Sequence, residues 1–588
     1  MERRWWTLTA VCLCIFMLML DITVVNVALP DIQQSLHSSF ADLQWVIDAY
    51  ALTLATFLLT AGVVGDMVGR QKVYAVGVTV FTASSLLCGL STTSLMLTLS
   101  RAAQGVGGAI MFATSLALLA QAFSGKERGT AFGIFGAVIG GAVAIGPLLG
   151  GAITGGIGWR WIFFLNLPVG IVAIVITLVK VQNSKDPTPR SLDWIGVISF
   201  STSLFMLVYA LVQGNSDGWG STTIVGLLAG SAVMMTVFLL AEWLQPDPML
   251  DLSLFSRPAM VGVSLAAFTL SASIFAMFVY LTLYLQEVLG YGPFAAGLRF
   301  LPITVLAFAV APLSGKLTVM VQSRFLMSLG LALIALGCAL TDHVRADSTW
   351  TVLLPGFILA GIGLGVLNPV LASATVSVVP PERSGMASGS SNTFRQVGIA
   401  TGIAGLGAVF LSQIRPNTVH ALAQSATGRA ILAHGGARLS AVIAGGDVRQ
   451  AAATLPHGPV RSTLISAYQV GFTATFNHLM DIALVVALVG AVGSFFLVRQ
   501  RDFVPSYDGG ALADGSTGSP TPALAAGRPP RYQHSRRNGA RHATGTPRTP
   551  AAAAPVAPAG PMTPLSPLEG PPDDPLVSRS SSGSDGTG

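Results

Sequence analysis

Within the first six apolar stretches of this chain, three ionisable residues lie where water cannot solvate them. Asp21 interrupts MLMLDITVVNVALP, Asp48 lies in QWVIDAYALTLATFLL, and Arg101 lies in LTLSRAAQGVGGAI. A charged side chain at membrane depth costs at least about 2.5–3.5 kcal/mol on insertion scales, so each one needs a chemical reason to be there. An acid that alternates between a charged and a protonated form as its surroundings change is what a proton carrier requires.

Asp21 and Arg101 are predicted to lie at similar depths. Asp21 is nine residues from Pro30 at the end of its stretch, about 13 Å, and Arg101 is about six residues, or 9 Å, into its own. The two can form an ion pair that either serves proton coupling or only orients two helices. Asp48 is predicted to lie about 6 Å from the same membrane surface. It can be a second proton site, an anion that attracts a cationic ligand, or a residue that reaches the headgroups.

The composition indicates which elements must position these residues. Of 588 residues, 52% are hydrophobic and 10% are charged, whereas a typical soluble protein is about 25% charged. This excludes a soluble globular chain and also a disordered, collagenous or disulfide-framework protein. A helix needs about 20 apolar residues to span a bilayer, and fourteen such stretches occur between residues 8 and 499. The sequence therefore predicts an all-α polytopic membrane protein with 14 transmembrane helices.

The basic residues predict the orientation of these helices. Arg3 and Arg4 precede the first stretch, and alternate short loops carry lysines and arginines, as cytoplasmic loops do. We therefore expect a multi-pass protein of the cell membrane with the N-terminus and the C-terminal tail in the cytoplasm. The tail, 501–588, is rich in Pro, Gly, Ala and Ser and is expected to be disordered, and a long loop at 413–477 is expected outside.

Small residues mark a helix that packs closely or bends. Gly146, Pro147, Gly150 and Gly151 lie in IGPLLGG, within the fifth stretch. Glycines admit neighbouring backbones, and a proline frees a backbone carbonyl that neighbours must satisfy. The segment is therefore either a bending or sliding helix, or simply a well-packed one.

A short turn after the second stretch carries both an acid and bases. In GDMVGRQK, Asp66 lies at the membrane edge and precedes Gly69 and Arg70. Acid and base on such a turn can lock one rigid half of a protein against the other. The alternative is a solvated turn whose basic residues only satisfy the orientation rule.

The sequence resembles a known family at these motifs. GDMVGRQK resembles motif A of the major facilitator superfamily, LTLSRAAQGVGGA resembles motif B, and GPLLGG resembles the antiporter motif C. LDITVVNVALP, WRWIFFLNLPVG and ERSGMASGSSNTFRQVG are similar to the fourteen-span drug:proton antiporters, family 2. The resemblance covers roughly residues 7–500. It implies two six-helix halves, 1–182 and 251–500, with two inserted transmembrane helices at 183–250.

The resemblance also implies a function, which is proton-coupled efflux of lipophilic drugs or antibiotics by alternating access, that is, antiport. It assigns Asp21, Arg101 and Asp48 to proton coupling. It makes the GDMVGRQK turn a conformational latch and IGPLLGG the antiporter bend. No acidic residue occurs deep in stretches ten to thirteen, where some exporters of divalent cations have one, so monocations or neutral lipophiles are favoured as substrates.

A substrate pocket is expected near the midplane, where the two halves of such transporters meet. Its candidates are aromatic or polar residues on apolar stretches: Tyr50, Gln104, Phe112, Tyr280 and Asn368. Aromatic rings offer broad apolar contact and a cation–π attraction worth about 0.5–2 kcal/mol. Each aromatic candidate has the alternative of being a packing or lipid-facing residue.

The expected partners are protons, the lipid bilayer and small lipophilic substrates, cations among them. No nucleic acid, required protein partner, metal or cofactor is expected, because no phosphate-binding loop or metal-ligand cluster is recognisable; an enzyme is therefore not expected. Two alternatives stay open. One is an exporter of a specific endogenous metabolite, such as an amino acid, a siderophore or a self-made antibiotic. The other is a non-transporting membrane sensor that uses the tail as its output.

Overall fold

The structure is a computed structural model that describes residues 2–38, 40–184, 193–245, 248–318, 320–433 and 458–503. These residues are almost entirely helical, and none of them lies in a strand. The α-helices are, in chain order, α1 (Arg3–Leu36), α2 (Phe40–Val68), α3 (Arg70–Gly89), α4 (Ser94–Ala122), α5 (Gly125–Gly156), α6 (Arg160–Phe164), α7 (Asn166–Lys180), α8 (Trp194–Asp217), α9 (Thr222–Leu244), α10 (Pro258–Leu270), α11 (Ala276–Leu283), α12 (Pro293–Arg299), α13 (Leu301–Leu317), α14 (Ser323–Thr341), α15 (Leu354–Ser377), α16 (Ser384–Ala423) and α17 (Pro459–Leu497).

Many of these helices have the length and composition of membrane spans. Among the described residues, twelve helical segments are long and apolar enough to cross a membrane. The apolar helix α13 is shorter, with 17 residues, and α5 is not one of the twelve. The prediction of an all-α, multi-pass membrane protein is confirmed, whereas the count of fourteen spans stays a prediction.

The helices pack in two groups that follow the chain order. In the first group α1 packs on α5 and α7, and α4 packs on α2 and α3. In the second group α14 packs on α15 and α17, and α16 packs on α10 and α17. Each group has a buried apolar core, with Phe81 and Phe132 in the first and Phe357 and Phe476 in the second. The exact boundaries of the predicted halves stay a prediction.

Two helix pairs make the most extensive contacts between the groups. Helix α2 packs on α16, where Gly62 meets Gly385, and α5 packs on α13, where Gly133 meets Pro312. Helices α8 and α9, which correspond to the predicted insertion, pack on each other, and α8 also contacts α2 and α16. Helix α8 therefore lies beside the contact between α2 and α16.

Helices α16 and α17 are longer than the sequence predicts. They contain 40 and 39 residues, so each is about 60 Å long, twice the thickness of the hydrocarbon layer. Both ends of the predicted loop at 413–477 are consequently helical, since α16 ends at Ala423 and α17 begins at Pro459. Parts of these helices outside the predicted stretches, such as residues 413–423, carry more polar residues, so apolar composition alone does not mark them. Residues 434–457 and the tail from 504 onward lie outside the described residues.

Candidate functional site

Asp21 and Arg101 form a fully buried ion pair between two helices. Nη1 of Arg101 lies 2.5 Å from Oδ2 of Asp21, and the side chains of Asp21 and Arg101 are 0% and 2% exposed. Asp21 belongs to α1 and Arg101 to α4, so the structure brings together the two residues that were predicted to share a depth. Each charge would be very costly at this position without the other.

Two amide side chains complete the surroundings of the carboxylate. Nε2 of Gln104 lies 3.1 Å and Nδ2 of Asn166 lies 3.2 Å from Oδ1 of Asp21. Gln104 also accepts a hydrogen bond from Nη1 of Arg101 at 2.7 Å, and Nδ2 of Asn166 lies 3.0 Å from Oγ of Ser85. Both oxygens of Asp21 therefore have donors, so protein groups replace water around the charged acid.

Asn166 and Ser85 were not among the predicted site residues. Asn166 is the first residue of α7 and lies in WRWIFFLNLPVG, a segment that carries part of the family resemblance. One polar residue in this apolar run was the available signal, because an amide at membrane depth needs a partner. Ser85 gave no comparable signal, since serine is common in membrane helices and satisfies itself with backbone carbonyls.

Tyr50 of α2 covers the guanidinium of Arg101. The Cζ atom of Arg101 lies 4.1 Å from the centre of the Tyr50 ring, a cation–π contact, and Nε of Arg101 lies 3.3 Å from the carbonyl oxygen of Val46. Asp48 is half-buried on the same helix, between these two residues. Tyr50 and Gln104, predicted for the substrate pocket, are thus part of the ion-pair site.

The other predicted pocket residues are spread along the molecule. Phe112 is buried on α4. Tyr280 of α11 packs on Phe410, with ring centres 5.6 Å apart, whereas Asn368 of α15 accepts a hydrogen bond from Nη2 of Arg395 at 3.3 Å. Phe410 and Arg395 are fifteen residues apart on α16, or about 22 Å. The structure therefore does not bring Tyr280 and Asn368 together.

Asp66 binds the start of α16 at the end of the bundle where α2 meets α3. Oδ1 of Asp66 accepts the backbone N–H of Gly385 at 3.0 Å, and Oδ2 accepts that of Met386 at 2.9 Å. These N–H groups belong to the first turn of α16, where the helix dipole attracts a negative charge. Asp66 therefore ties the first helix group to the second.

Arg70 reinforces the same connection. Its Nε atom lies 2.8 Å from Oδ1 of Asp66, and its Nη2 atom lies 2.6 Å and 3.0 Å from the carbonyl oxygens of Pro381 and Glu382. Gly69, between α2 and α3, has a φ of 128°, a conformation that residues with a side chain rarely adopt. The glycine thus lets the chain turn so that Arg70 reaches back to Asp66.

The predicted antiporter motif lies on α5, next to the helix that carries Asp21. Gly146 is in contact with Thr23 of α1, and a methyl group at Gly146 would overlap Oγ1 of Thr23. Close approach of α5 and α1 therefore depends on this glycine. The other motif residues lie on the same helix, with the side chain of Pro147 outside the described part: Pro147, Gly150 and Gly151.

A family assignment follows from comparison with known proteins. The family model described as Major Facilitator Superfamily matches residues 11–403 of the chain. The chain belongs to the major facilitator superfamily. Proteins of the major facilitator superfamily are transporters, so at the level of the family the chain is a transporter and not an enzyme. Within the residues that the structure describes, no group of three or more His, Cys, Asp or Glu side chains is placed to hold a metal ion.

Several relatives of this transporter are named for drug resistance or export. The chain is 37% identical over 405 residues to multidrug resistance protein Stp of Mycobacterium tuberculosis, which covers 68% of this chain and 75% of that protein. It is 35% identical over 418 residues to the tetracenomycin C resistance and export protein of Streptomyces glaucescens, with 70% and 77% covered. It is 36% identical over 413 residues to the puromycin resistance protein of Streptomyces alboniger, with 69% and 82% covered.

A solved structure has the same fold. The human organic anion transporter MFSD10 matches with a TM-score of 0.54 and 13% sequence identity, over 82% of this chain and 99% of that one. At this level of identity the match supports the fold of the transporter and nothing about its substrate.

Proposed function

We propose that this transporter exports lipophilic drugs or antibiotics across the cell membrane in exchange for protons. The observation that carries the proposal is the buried pair of Asp21 and Arg101, because an acid held at membrane depth is a carrier for protons when its surroundings change. The names of the three relatives support the substrate class.

Proton binding neutralises the carboxylate of Asp21 and removes its electrostatic attraction to Arg101. The protonated acid no longer needs a cation, while Arg101 keeps the ring of Tyr50 and the carbonyl of Val46 as partners. Helices α1 and α4 are then free to separate, and the acid is exposed to the other side, where it loses the proton. Asp48, two residues from Val46 on α2, is proposed as a second acid on the same route.

The connection between Asp66, Arg70 and α16 serves as a latch. We place this end of the bundle, together with both chain termini, at the cytoplasmic side, as the basic loops predict. With the latch formed, the two groups, proposed as halves 1–182 and 251–500 around the insertion 183–250, are held together at that side. Opening toward the cytoplasm requires the bonds to Gly385 and Met386 to break.

The driving force is large enough for useful export. One proton that crosses about 100 mV gains about 2.3 kcal/mol, and one pH unit adds about 1.4 kcal/mol. At about 1.4 kcal/mol for each tenfold in concentration, one proton sustains roughly a 500-fold gradient of a neutral substrate. No nucleotide is required.

The test is transport by the purified chain in liposomes. A panel of lipophilic cations, acids and neutral antibiotics is offered with and without an imposed pH gradient and membrane potential. We expect gradient-dependent transport by the unmodified chain and its loss in Asp21→Asn, while Asp217→Asn, at the exposed end of α8, retains it. Transport that ignores both gradients, or that survives in Asp21→Asn, contradicts the proposal.

The breadth of the transported panel separates two versions of the proposal. One relative is named for both resistance to and export of tetracenomycin C, which favours export of a single self-made antibiotic as the alternative. Transport of several unrelated compounds supports multidrug export, and transport of one compound only supports the alternative.

A further inference from the structure

Arg395 is a cation deep in the helix bundle that the proton-coupling site does not use. α16 begins at Ser384, so Arg395 lies eleven residues, about 16 Å, from the end that Asp66 and Arg70 close. Its hydrogen-bond partner is a neutral amide, since Nη2 of Arg395 donates to Oδ1 of Asn368 at 3.3 Å. Among the described residues, the ion pairs within 4.0 Å do not include Arg395.

The other deep or latch-forming arginines differ from Arg395 in this respect. Arg101 is paired with Asp21, and Arg70 is paired with Asp66. A charge at membrane depth is costly and is retained where it lines a pathway or binds a ligand. The missing negative partner of Arg395 is therefore to be sought in a molecule that enters the bundle.

The register of α16 against α2 shows where Arg395 lies. The two helices run in opposite directions, and Gly389 is in contact with the backbone of Leu59. Six residues further along α16, Arg395 is level with residues 52 and 53 of α2, within one turn of Tyr50. Arg395 is therefore at the level of the Asp21 site but belongs to the opposite group of helices.

The partner of Arg395 also lies where the two groups meet. Asn368 precedes Pro369 on α15, and Pro369 is in contact with Gly136 of α5. The side chains of Arg395 and Asn368 are both half-buried, whereas the residues one turn before Arg395, such as Ser391, are buried. The guanidinium is thus beside the contact between the groups and is not sealed in a packed core.

We propose that Arg395, oriented by Asn368, binds an acidic group of the transported molecule, so that the preferred substrates are lipophilic acids. The inference rests on the proposed export function and names its substrate class. A guanidinium has five N–H donors in a planar arrangement that matches a carboxylate. One of them is oriented by Oδ1 of Asn368, which makes Asn368 a positioning residue. This substrate class differs from the monocations or neutral lipophiles that the sequence favoured.

Export of an acid also agrees with the direction of the membrane potential. A cell interior is negative, so an anion that leaves and a proton that enters both move down the voltage difference. For an exporter of anions, the membrane potential therefore favours both the exit of the substrate and the entry of the proton.

The experiment compares two dyes that differ at one group. Rhodamine 110 has a free carboxylate, and rhodamine 123 is its methyl ester. Binding of each to the purified full chain is measured by fluorescence anisotropy, without any gradient. We expect the acid to bind at least about tenfold more tightly than the ester, since a charge-assisted hydrogen bond is lost in the ester.

Variants assign this preference to the site. Arg395→Gln is expected to weaken binding of the acid at least about tenfold and to change binding of the ester less than about twofold. Arg395→Lys is expected to retain part of the preference. Arg324→Gln, which removes an arginine packed on Phe325 and Phe495 instead, is the matched control and should keep the preference. Asn368→Asp, which supplies Arg395 with an internal carboxylate, should also lose it.

Several results overturn the inference. These are equal binding of acid and ester by the unmodified chain, an equal loss of both in Arg395→Gln, and an unchanged ratio in Arg395→Gln. If Arg395→Gln does not fold, an unchanged ratio in Asn368→Asp has the same force. Since binding is measured without a gradient, selective binding without proton-driven transport contradicts only the proposed function, and proton-driven transport without selective binding contradicts only this inference.

Discussion

Nδ2 of Asn166 lies 3.2 Å from Oδ1 of Asp21, which connects α7 to the carboxylate that Arg101 neutralises. Asn166 also holds Ser85 of α3 at 3.0 Å. The acid of α1 therefore accepts hydrogen bonds from both α4 and α7, and its environment depends on the packing of all three helices.

Removal of the Asn166 amide should impair proton-driven transport. In Asn166→Ala the carboxylate of Asp21 loses one charge-assisted hydrogen bond, which is worth about 1.5–3 kcal/mol. We expect gradient-driven transport in liposomes to fall about tenfold or more. The matched control is Asn215→Ala, since Asn215 on α8 donates to the carbonyl of Ala404 instead; equal losses in the two variants would remove the special role of Asn166.

Neutralisation of Asp66 should open the end of the bundle that it closes. Asp66→Asn keeps the size of the side chain but loses the charge that attracts Arg70 and the first turn of α16. At about 1.5–3 kcal/mol for a hydrogen bond to a charged group, the open population should rise at least about tenfold. Spin labels at the exposed positions Val68 and Glu382 measure this as a longer distance between α2 and the segment before α16.

An ion pair near the start of α16 provides the control for that experiment. Arg383, just before α16, pairs with Asp251, which precedes α10, so the pair connects two segments that lead into the second group. Asp251→Asn removes a carboxylate of the same kind without cutting a bond between the groups. The distance between the two labels should therefore stay as in the unmodified chain, and widening there would show that any loss of charge loosens this region.

The Asp251 pair predicts a pH dependence of stability. Partial burial works to raise the pKa of Asp251, but hydrogen bonds from Ser253 and Arg383 outweigh it and hold the pKa below its ordinary value of 3.8. The pair therefore stabilises the fold above that value, and the contribution is lost as the pH falls through the lowered pKa. Since both side chains are about a third exposed, we expect only about 0.2–1 kcal/mol.

Thermal unfolding of Asp251→Asn measures this contribution. At neutral pH the variant should have a slightly lower Tm than the unmodified chain. The difference should shrink as the pH falls below 3.8 and through the lowered pKa, because the unmodified acid then also becomes neutral. Asp217→Asn, at an exposed position, should show no such difference, and a Tm gap for Asp251→Asn that persists unchanged into acid would contradict the assignment.

A side chain at Gly146 should disturb the helix that carries Asp21. In Gly146→Ala the new methyl group overlaps Thr23, so α5 must move away from α1 two residues from the acid. We expect transport to fall several-fold and to recover in part when Thr23→Ala is added, because contacting residues show coupled effects. Gly155→Ala, on the same helix with nothing within 4 Å, should transport normally.

Depth along a helix could be predicted from the sequence, whereas the partners across helices could not. The constant rise of a helix placed Asp21 and Arg101 at one level, and they are in contact. The amide of Asn166 joins them only because α7 packs on α1 and α3, which depends on the whole bundle. Tyr280 and Asn368 were predicted to share a pocket but lie apart for the same reason. The type of a residue does not reveal which residues of neighbouring helices lie beside it.

The sequence alone could have identified Arg395 as a candidate functional residue. It lies in the segment ERSGMASGSSNTFRQVG, near the start of the thirteenth apolar stretch, and the argument that made Arg101 a candidate applies to it equally. What the sequence lacks is the identity of its neighbour, because Asn368 comes from α15 and is close only in the folded protein.

The carboxylate of Asp21, on α1, is the common hydrogen-bond acceptor for side chains from α4 and α7. Under the proposed function, a single hydrogen ion that binds there would weaken the contacts of three helices at once. Proton binding and the release of the helices would then occur at the same carboxylate. No relay through distant residues would be needed to couple the two events.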